Sequence, residues 1–252
     1  MNKALQRVGL SLGRQRRCLL SSNVARKLVN MDNINPLIKT CKYEVRGEIY
    51  LASVERAKEG KEVIYTNVGN PQALGQKPLT YIRQVLSLMV APFLIDQPEI
   101  LKLYPADVIE RAKLYQSKIA GGVGAYQDSR GNSHIRNEIK DFIERQSNVK
   151  VESIDNIFIT NGASESVRNI LTSIIRGPHD GVMVPIPQYP LYSAAIGLYN
   201  GTMVPYYLQE STGWSLSLEE LEKSYQQSVA NGVKPRALVL INPGNPTGML
   251  ST

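Results

Sequence analysis

Residues 157–171 read IFITNGASESVRNIL. The first four residues are apolar or β-branched and typical of a strand, whereas the apolar residues after Ala163 recur at the spacing of an amphipathic helix. The Asn161–Gly162 pair between them is a turn signal. Because a strand that passes directly into a helix is the repeating unit of α/β domains, this stretch predicts an α/β fold.

Strand-like and helix-like segments alternate on both sides of this stretch. Between residues 132 and 241 we predict helices over 132–146, 163–176, 190–199 and 218–230, and strands over 156–160, 181–186, 203–207 and 236–241. Upstream we predict helices over 48–58, 80–95 and 105–119 and a strand over 63–66. The order favours a mainly parallel sheet covered by helices. No helix follows the last strand, so we expect an incomplete domain.

One of these helices, 132–146, shows its periodicity clearly. Its apolar residues at positions i, i+4, i+7 and i+8 are Ile135, Ile139, Phe142 and Ile143. This is the spacing of a single apolar helix face, and such a face usually packs against a core. The segment therefore supports the helical half of the alternation.

The positive charge of the chain is concentrated at its N-terminus. The formal net charge is +7, but residues 1–31 contain seven Lys and Arg and no acid, so the remainder is neutral. A neutral body offers no electrostatic surface for nucleic acid. An Arg-rich, Ser-containing, acid-free start is typical of a mitochondrial transit peptide, which we predict over residues 1–30. The alternative is a basic tail on a cytoplasmic protein.

Cysteine content and hydropathy argue against a disulfide-stabilised protein and against a membrane-spanning protein. The chain has two cysteines, Cys18 and Cys41, which offer no disulfide framework. This usage is typical of a reduced compartment. No apolar run is long enough to cross a bilayer, so we expect no membrane partner.

The segment Asn161–Ser164 is the first candidate binding element. A helix that starts directly after a strand directs free backbone N–H groups and the positive end of its dipole at one point. With the Ser164 hydroxyl, such a point suits a phosphate. The alternative is an ordinary helix start capped by Asn161 or Ser164. Neither the Walker spacing nor G-x-G-x-x-G is present, which disfavours a nucleotide-binding module.

Two further segments follow predicted strands. In MVPIPQYPLYSAAI (183–196), three prolines stiffen the strand exit and hold Tyr189 where it could stack on a planar ring. In NPGNPTG (242–248), a run of turn formers positions Asn245, whose amide offers one acceptor and two donors. The alternatives are a core tyrosine and a plain tight loop.

The three segments, in this order, resemble the pyridoxal-phosphate (PLP) aminotransferases of fold type I. The segments beginning YEVRGEIYLASVERAKEGK (from Tyr43), GVGAYQDSRG (122–131) and PQYPLYSAA (187–195) further resemble the eukaryotic alanine aminotransferases. The resemblance extends from about Tyr43 to Gly248. It implies an incomplete large PLP-binding domain with a mainly parallel sheet over 105–252. Residues 31–104 would form an N-terminal arm and part of the small domain.

The resemblance also implies roles for single residues. Ala163 and Ser164 would bind the cofactor phosphate, Tyr189 would stack on the pyridine ring, and Asn245 would hydrogen-bond its phenolic oxygen. Tyr126 would reach the phosphate in the partner subunit of a homodimer. Gly47 would let substrate approach closely, although a helix-flanking glycine is the alternative for this residue.

The implied reaction is transfer of the amino group of L-alanine to 2-oxoglutarate, which gives pyruvate and L-glutamate. In this family an aspartate, an arginine and the lysine that binds PLP covalently follow the asparagine motif. None can be placed in this sequence, so we expect the chain alone to be inactive. Lys118 resembles an attachment lysine but precedes the phosphate segment, and a cation in the last turn of a helix has a structural explanation.

The sequence therefore leaves three hypotheses about the function open. The first is a mitochondrial alanine aminotransferase, and the second is the same fold acting on another amino acid. The third is a non-catalytic form of the chain that pairs with full-length subunits, for which Tyr126 would supply the contact.

Overall fold

The computed structural model describes residues 30–41, 43, 47–65, 69 and 71–250. Most of the predicted transit peptide therefore lies outside the described residues, as does most of the turn at residues 66–70. The chain forms two compact units, residues 1–41 and 42–252. The described part of the first unit holds helix α1, Pro36–Thr40, whose start is capped by the Asn35 side chain.

The described part of the second unit alternates helices and strands. The helices are α2 (Glu48–Lys58), α3 (Thr80–Val90), α4 (Pro98–Leu101), α5 (Ala106–Lys118), α6 (Ser133–Ser147), α7 (Ala163–Ile174), α8 (Leu191–Leu198) and α9 (Leu218–Ala230). The strands are β1 (Asp180–Ile186), β2 (Thr202–Tyr207) and β3 (Lys234–Leu238). Short 3₁₀ turns cover Pro92–Asp96, Ile154–Asn156 and Glu210–Thr212.

The three strands form a parallel sheet in the order β2-β1-β3. The central strand β1 is buried along most of its length and pairs with both neighbours. Parallel strands need crossover connections, and here α8 joins β1 to β2 while α9 joins β2 to β3. The predicted α/β class with a mainly parallel sheet is confirmed.

Helices cover both faces of this sheet. On one face, Val182 and Val184 of β1 pack with Leu171 of α7 and Ile196 of α8. On the other face, a cluster of Met183, Val204 and Tyr206 is completed by residues that include Leu221 of α9. The alternation of β1 side chains between the two faces therefore places Val182 and Val184 in one layer and Met183 in the other.

A separate helical cluster forms before the sheet. The buried residues of α3 (Val85, Leu88 and Met89) pack against Val108 and Ala112 of α5. The predicted helix over 80–95 divides here, because α3 ends at Val90 and Pro92 begins a 3₁₀ turn. Proline has no N–H to continue the helical hydrogen bonding, which accounts for the break.

The predicted strand over 156–160 is not a paired strand in the structure. Residues 154–156 form a 3₁₀ turn, and 157–160 follow without a ladder to any strand of the described chain. The Ile159 N–H instead donates to the Arg130 carbonyl (2.8 Å), and Phe158 remains 65% exposed. A strand needs a neighbour to form a ladder, and no described strand lies beside this one. Residues 63–65 are likewise not a strand.

The Tyr206 hydroxyl links β2 to the chain that leaves β3. It donates to the Val239 carbonyl at 2.6 Å, and burial raises its pKa to about 12, so it stays a donor. We expect Tyr206→Phe to lower the free energy of unfolding by about 1–3 kcal/mol, because the carbonyl loses its donor. Urea unfolding measures this. Tyr207→Phe, at a 57% exposed neighbour, should change little, and an equal loss in both variants would contradict the account.

Candidate active site

The sheet brings the three sequence segments to one edge. The carboxyl ends of β1 and β3 lie together because these strands are adjacent and parallel. Tyr189 and Asn245 both lie on the chain that leaves these ends. Helix α7 packs on the sheet and connects to the start of β1 through five residues, so α7 runs antiparallel to β1 and Ala163 lies at the same edge. Ligands of open α/β sheets bind at this edge.

The start of α7 presents unpaired donors. Gly162 has φ of 87°, a left-handed value that favours glycine, and no side chain caps the helix. In the described part of the chain, the N–H groups of Ala163 and Ser164 donate to no acceptor, and the Ser164 hydroxyl has no partner. The alternative of a helix capped by Asn161 or Ser164 is therefore not what the structure shows. The arrangement suits an anion.

Side-chain hydrogen bonds hold the residues that lie just before these donors in the chain. The Asn161 N–H donates to Glu165 Oε2 at 2.6 Å, and the hydroxyls of Thr160 and Ser166 are 2.6 Å apart. Glu165 thus satisfies the Asn161 N–H, in the manner of a capping box, and the Gly162 N–H donates to the Thr160 carbonyl at 2.8 Å, so the N–H groups of Ala163 and Ser164 are the free ones.

Tyr189 is held by a second tyrosine. Its hydroxyl lies 2.8 Å from the Tyr43 hydroxyl, and the two rings meet edge to face with centroids 6.3 Å apart. The hydrogen bond with Tyr189 raises the pKa of Tyr43 above its usual range. Sequence reasoning missed Tyr43 as a site residue, because it lies 146 residues from Tyr189 and no spacing rule joins them.

Gly47, which has a predicted role toward the substrate, flanks helix α2. Gly47 follows Tyr43 by four residues and precedes the first residue of α2, where it caps the helix without a side chain. The helix-flanking alternative for Gly47 is thus observed. Its role toward substrate remains a prediction.

Asn245 lies in a loop that is stabilised by hydrogen bonds within the loop. The Gly244 N–H donates to the Met249 carbonyl and the Gly248 N–H to the Gly244 carbonyl, both at 2.8 Å. The loop borders a cavity of about 240 Å³ that Pro187 and Trp214 also line. Since Pro187 follows β1 and Asn245 follows β3, this cavity connects two of the three segments. Trp214 is the single tryptophan of the chain, so its fluorescence can report binding at this edge.

The structure does not place Tyr126 with these groups. Its ring is fully exposed on the loop between α5 and α6. The following residue is anchored, since Gln127 donates to the Ala120 carbonyl at 3.2 Å and accepts from Asn132 at 2.9 Å. The contact of Tyr126 with a second subunit remains a prediction. Lys118, at the end of α5, retains its structural interpretation.

The described residues hold neither a metal-binding cluster nor a membrane-spanning helix. No group of three or more His, Cys, Asp or Glu side chains is arranged to hold a metal ion within this part of the chain. No described helix combines the length and apolar character that crossing a membrane needs.

Comparison with known proteins identifies the family. The profile of the family "Aminotransferase class I and II" matches residues 98–252, more than half of the chain. The chain belongs to this family, which the segments around Ala163, Tyr189 and Asn245 resemble in sequence. The family implies pyridoxal phosphate as cofactor.

Two curated relatives show the range of similarity. The chain is 53% identical over 222 residues to "Glutamate--glyoxylate aminotransferase 2" of Arabidopsis thaliana, with 88% of this chain and 46% of that protein covered. It is 47% identical over 236 residues to "Probable alanine aminotransferase, mitochondrial" of Dictyostelium discoideum, with 88% and 44% covered. The chain spans about half the length of the curated relatives it matches.

Solved structures show the same fold. The alanine aminotransferase from Pyrococcus furiosus superposes with a TM-score of 0.63 at 21% identity, covering 86% of this chain and 46% of that one. An aspartate aminotransferase of Thermus thermophilus gives 0.61 at 15% identity, covering 86% and 47%. The predicted fold type I architecture is confirmed.

The described residues fit pyridoxal phosphate. Its phosphate matches the free N–H groups at Ala163 and Ser164 and the unpartnered Ser164 hydroxyl. Its flat ring matches Tyr189, which the Tyr43 hydroxyl holds in place. Its phenolic oxygen matches the exposed amide of Asn245 at the same sheet edge. The phosphate, the ring face and the phenolic oxygen of the cofactor thus each have a counterpart of suitable chemistry among the described residues.

Proposed function

We propose that the protein is an alanine aminotransferase that transfers the amino group of L-alanine to 2-oxoglutarate and releases pyruvate and L-glutamate. The observation that carries this proposal is the convergence of the α7 N-terminus, Tyr189 and Asn245 at one edge of a parallel sheet. Relatives named alanine aminotransferase at 40–47% identity support the choice of substrates.

Each site residue then has a task toward the cofactor. The N–H groups of Ala163 and Ser164 and the Ser164 hydroxyl bind the phosphate with charge-assisted hydrogen bonds. Tyr189 stacks on the ring and fixes its plane, and the Asn245 amide donates to the phenolic oxygen. When bound, pyridoxal phosphate supplies an electron-withdrawing ring that acidifies the α-hydrogen of the amino acid.

Two residues act at the margins of the site. Gly47 has no side chain, so it leaves room for the substrate to approach the ring. Tyr126 reaches the phosphate in the neighbouring subunit of a homodimer, which would explain its complete exposure in a single chain. We further propose that 31–104 is the N-terminal arm and small-domain segment and 105–252 the large PLP-binding domain.

A specific observation favours a second candidate. The two relatives at 53% identity are named glutamate–glyoxylate aminotransferases, a higher identity than that of the relatives named alanine aminotransferase. Both candidates use the same site and differ in the amino donor and the oxo-acid acceptor. Glyoxylate is smaller than 2-oxoglutarate and lacks its second carboxylate, so acceptor choice separates them.

Amino transfer can be tested on the protein isolated from its own cells, at whatever length it is made. We expect pyruvate from L-alanine and 2-oxoglutarate in the presence of PLP, with a higher kcat/KM than for aromatic or branched donors. A higher kcat/KM for glutamate with glyoxylate would select the second candidate. No amino transfer between any of these pairs would contradict both.

Two further proposals concern how the 252-residue chain binds PLP and where the protein is located. The chain by itself binds PLP without covalent attachment, and borohydride reduction that labels one lysine stoichiometrically would contradict this. Residues 1–30 direct the protein to the mitochondrial matrix, as the names of the Dictyostelium and Saccharomyces relatives suggest for those proteins. Unchanged location after deletion of 1–30 would favour the cytoplasm.

The non-catalytic alternative has its own test. If the chain serves to pair with full-length subunits, co-expression with such a subunit should give a mixed dimer on size exclusion. Loss of that dimer in Tyr126→Ala would support the contact, and the absence of any mixed dimer would exclude the role.

A further inference from the structure

A buried arginine lies between two segments that the proposed site uses. Arg136 of α6 is 3% exposed. Its Nε donates to the Gly131 carbonyl at 3.0 Å, and its Nη1 donates to the Ile154 carbonyl at 2.9 Å. A buried guanidinium is tolerated only when its donors are satisfied, so both carbonyls are required partners. Arg136 therefore joins the loop before α6 to the turn after it.

Two carboxylates and a second arginine complete the network. Arg130 donates to both oxygens of Asp128 at 2.8–3.0 Å and to Asp155 Oδ1 at 2.7 Å. Arg136 lies 3.8 Å from Asp128 Oδ2 and 3.6 Å from Asp155 Oδ1. The Arg130 hydrogen bonds hold the pKa of Asp128 well below its usual range. The network is thus a pair of arginines shared between two aspartate side chains.

The backbone contacts next to this network are close. The Ile159 N–H donates to the Arg130 carbonyl at 2.8 Å. A Cβ on Gly131 would lie 2.7 Å from Ile159 Cδ1 and 2.9 Å from Ile159 Cβ. Residues 128–131 therefore lie directly against the segment that enters the phosphate loop. We call this arrangement of Asp128, Arg130, Arg136 and Asp155 around Ile159 the arginine clamp.

The clamp lies between the two predicted phosphate contacts. Tyr126 precedes Asp128 by two residues, and Ser164 follows Ile159 by five. We propose that Asp128 and Arg136 are positioning residues for phosphate binding: through the clamp they fix the approach to Ala163 and Ser164 and the loop that carries Tyr126. This inference rests on the proposed function.

The test compares Asp128→Asn with Asp141→Asn, an exposed aspartate on α6 outside the clamp. Asparagine keeps the shape of Asp128 and removes the charge that both arginines share. Amide hydrogen exchange of the peptide covering 154–164 is measured without ligand. We expect faster exchange in Asp128→Asn and no change in Asp141→Asn. Equal exchange in the two variants would overturn the clamp.

Affinity for PLP is then measured through quenching of Trp214 fluorescence. Asp128→Asn is expected to raise Kd by about 3- to 10-fold, in the lower part of the range that coupling between contacting residues gives. In a Ser164→Ala background the same substitution should have a smaller effect, because the group that it positions is missing. Arg136→Lys keeps the charge but cannot reach both carbonyls, so it should also raise the Kd for PLP.

A merely structural role predicts a different pattern. Val108→Ala, in the α3–α5 core, lowers stability without touching the clamp. If Asp128→Asn and Val108→Ala change Kd equally at a temperature where both are folded, the positioning role is wrong. A wild-type chain that binds no PLP would contradict the proposed function instead, while the exchange measurement would still decide whether the clamp holds the phosphate segment.

Discussion

Ser164→Asp is expected to weaken PLP binding by at least about 100-fold. An aspartate at this position places a carboxylate where the phosphate would lie, and two like charges about 4 Å apart repel by about 4 kcal/mol at an effective dielectric constant of 20. A loss of 1.4 kcal/mol already corresponds to about tenfold in affinity. The expected loss is large because the site relies on neutral donors and holds no compensating cation among its proposed phosphate ligands.

The same substitution should not damage the fold. Asp in the first turn of a helix interacts favourably with the helix dipole, so the unfolding midpoint of Ser164→Asp should equal or exceed that of the wild type. Ser173→Asp is the matched control, since it adds the same charge at the other end of α7. Comparable PLP affinities for Ser164→Asp and Ser173→Asp would mean that the phosphate binds elsewhere.

Gly131→Ala is expected to lower the free energy of unfolding by about 2–5 kcal/mol. Gly131 has φ of 103°, and a positive φ costs other residues about 1–3 kcal/mol. The added Cβ would also overlap Ile159, and overpacking costs a similar amount. The methyl group would lie 2.9 Å from Ile159 Cβ, an atom that no rotamer change can move away.

Gly122→Ala separates the cost of a positive φ from the cost of the overlap with Ile159. Gly122 has φ of 74°, but a Cβ there meets open space, so this variant carries the backbone cost alone. Urea unfolding of both variants gives the difference. If Gly131→Ala is no more destabilising than Gly122→Ala, the close approach of residues 128–131 to Ile159 is not present in solution.

The alternation of strands and helices was predictable because it is a local property. Periodicity fixed the bounds of α2 and α9 to the residue and those of β1 and β2 to within one residue. The helix of the phosphate segment was also predictable, because a glycine turn and an amphipathic run follow one another in sequence, although the strand predicted before them did not form. Its free N–H groups are a direct consequence of that local order.

Contacts between distant residues were not predictable. Nothing in the sequence joins Tyr43 to Tyr189, and the unpaired state of 157–160 depends on which strands lie nearby. Helix α6 shows the limit of periodicity most clearly. Its apolar Phe142 is 56% exposed, whereas the charged Arg136 is 3% exposed. Two backbone carbonyls and two carboxylates, contributed by other segments, make burial of that charge possible.

The most direct test of the central claim is a titration of the 252-residue chain with PLP, followed by Trp214 fluorescence. The account predicts saturable quenching by one PLP per chain, a Kd that rises with added inorganic phosphate, and loss of saturation in Ser164→Asp. Quenching that does not saturate, or a Kd that neither phosphate nor Ser164→Asp changes, would contradict the assignment of the α7 N-terminus as the phosphate site.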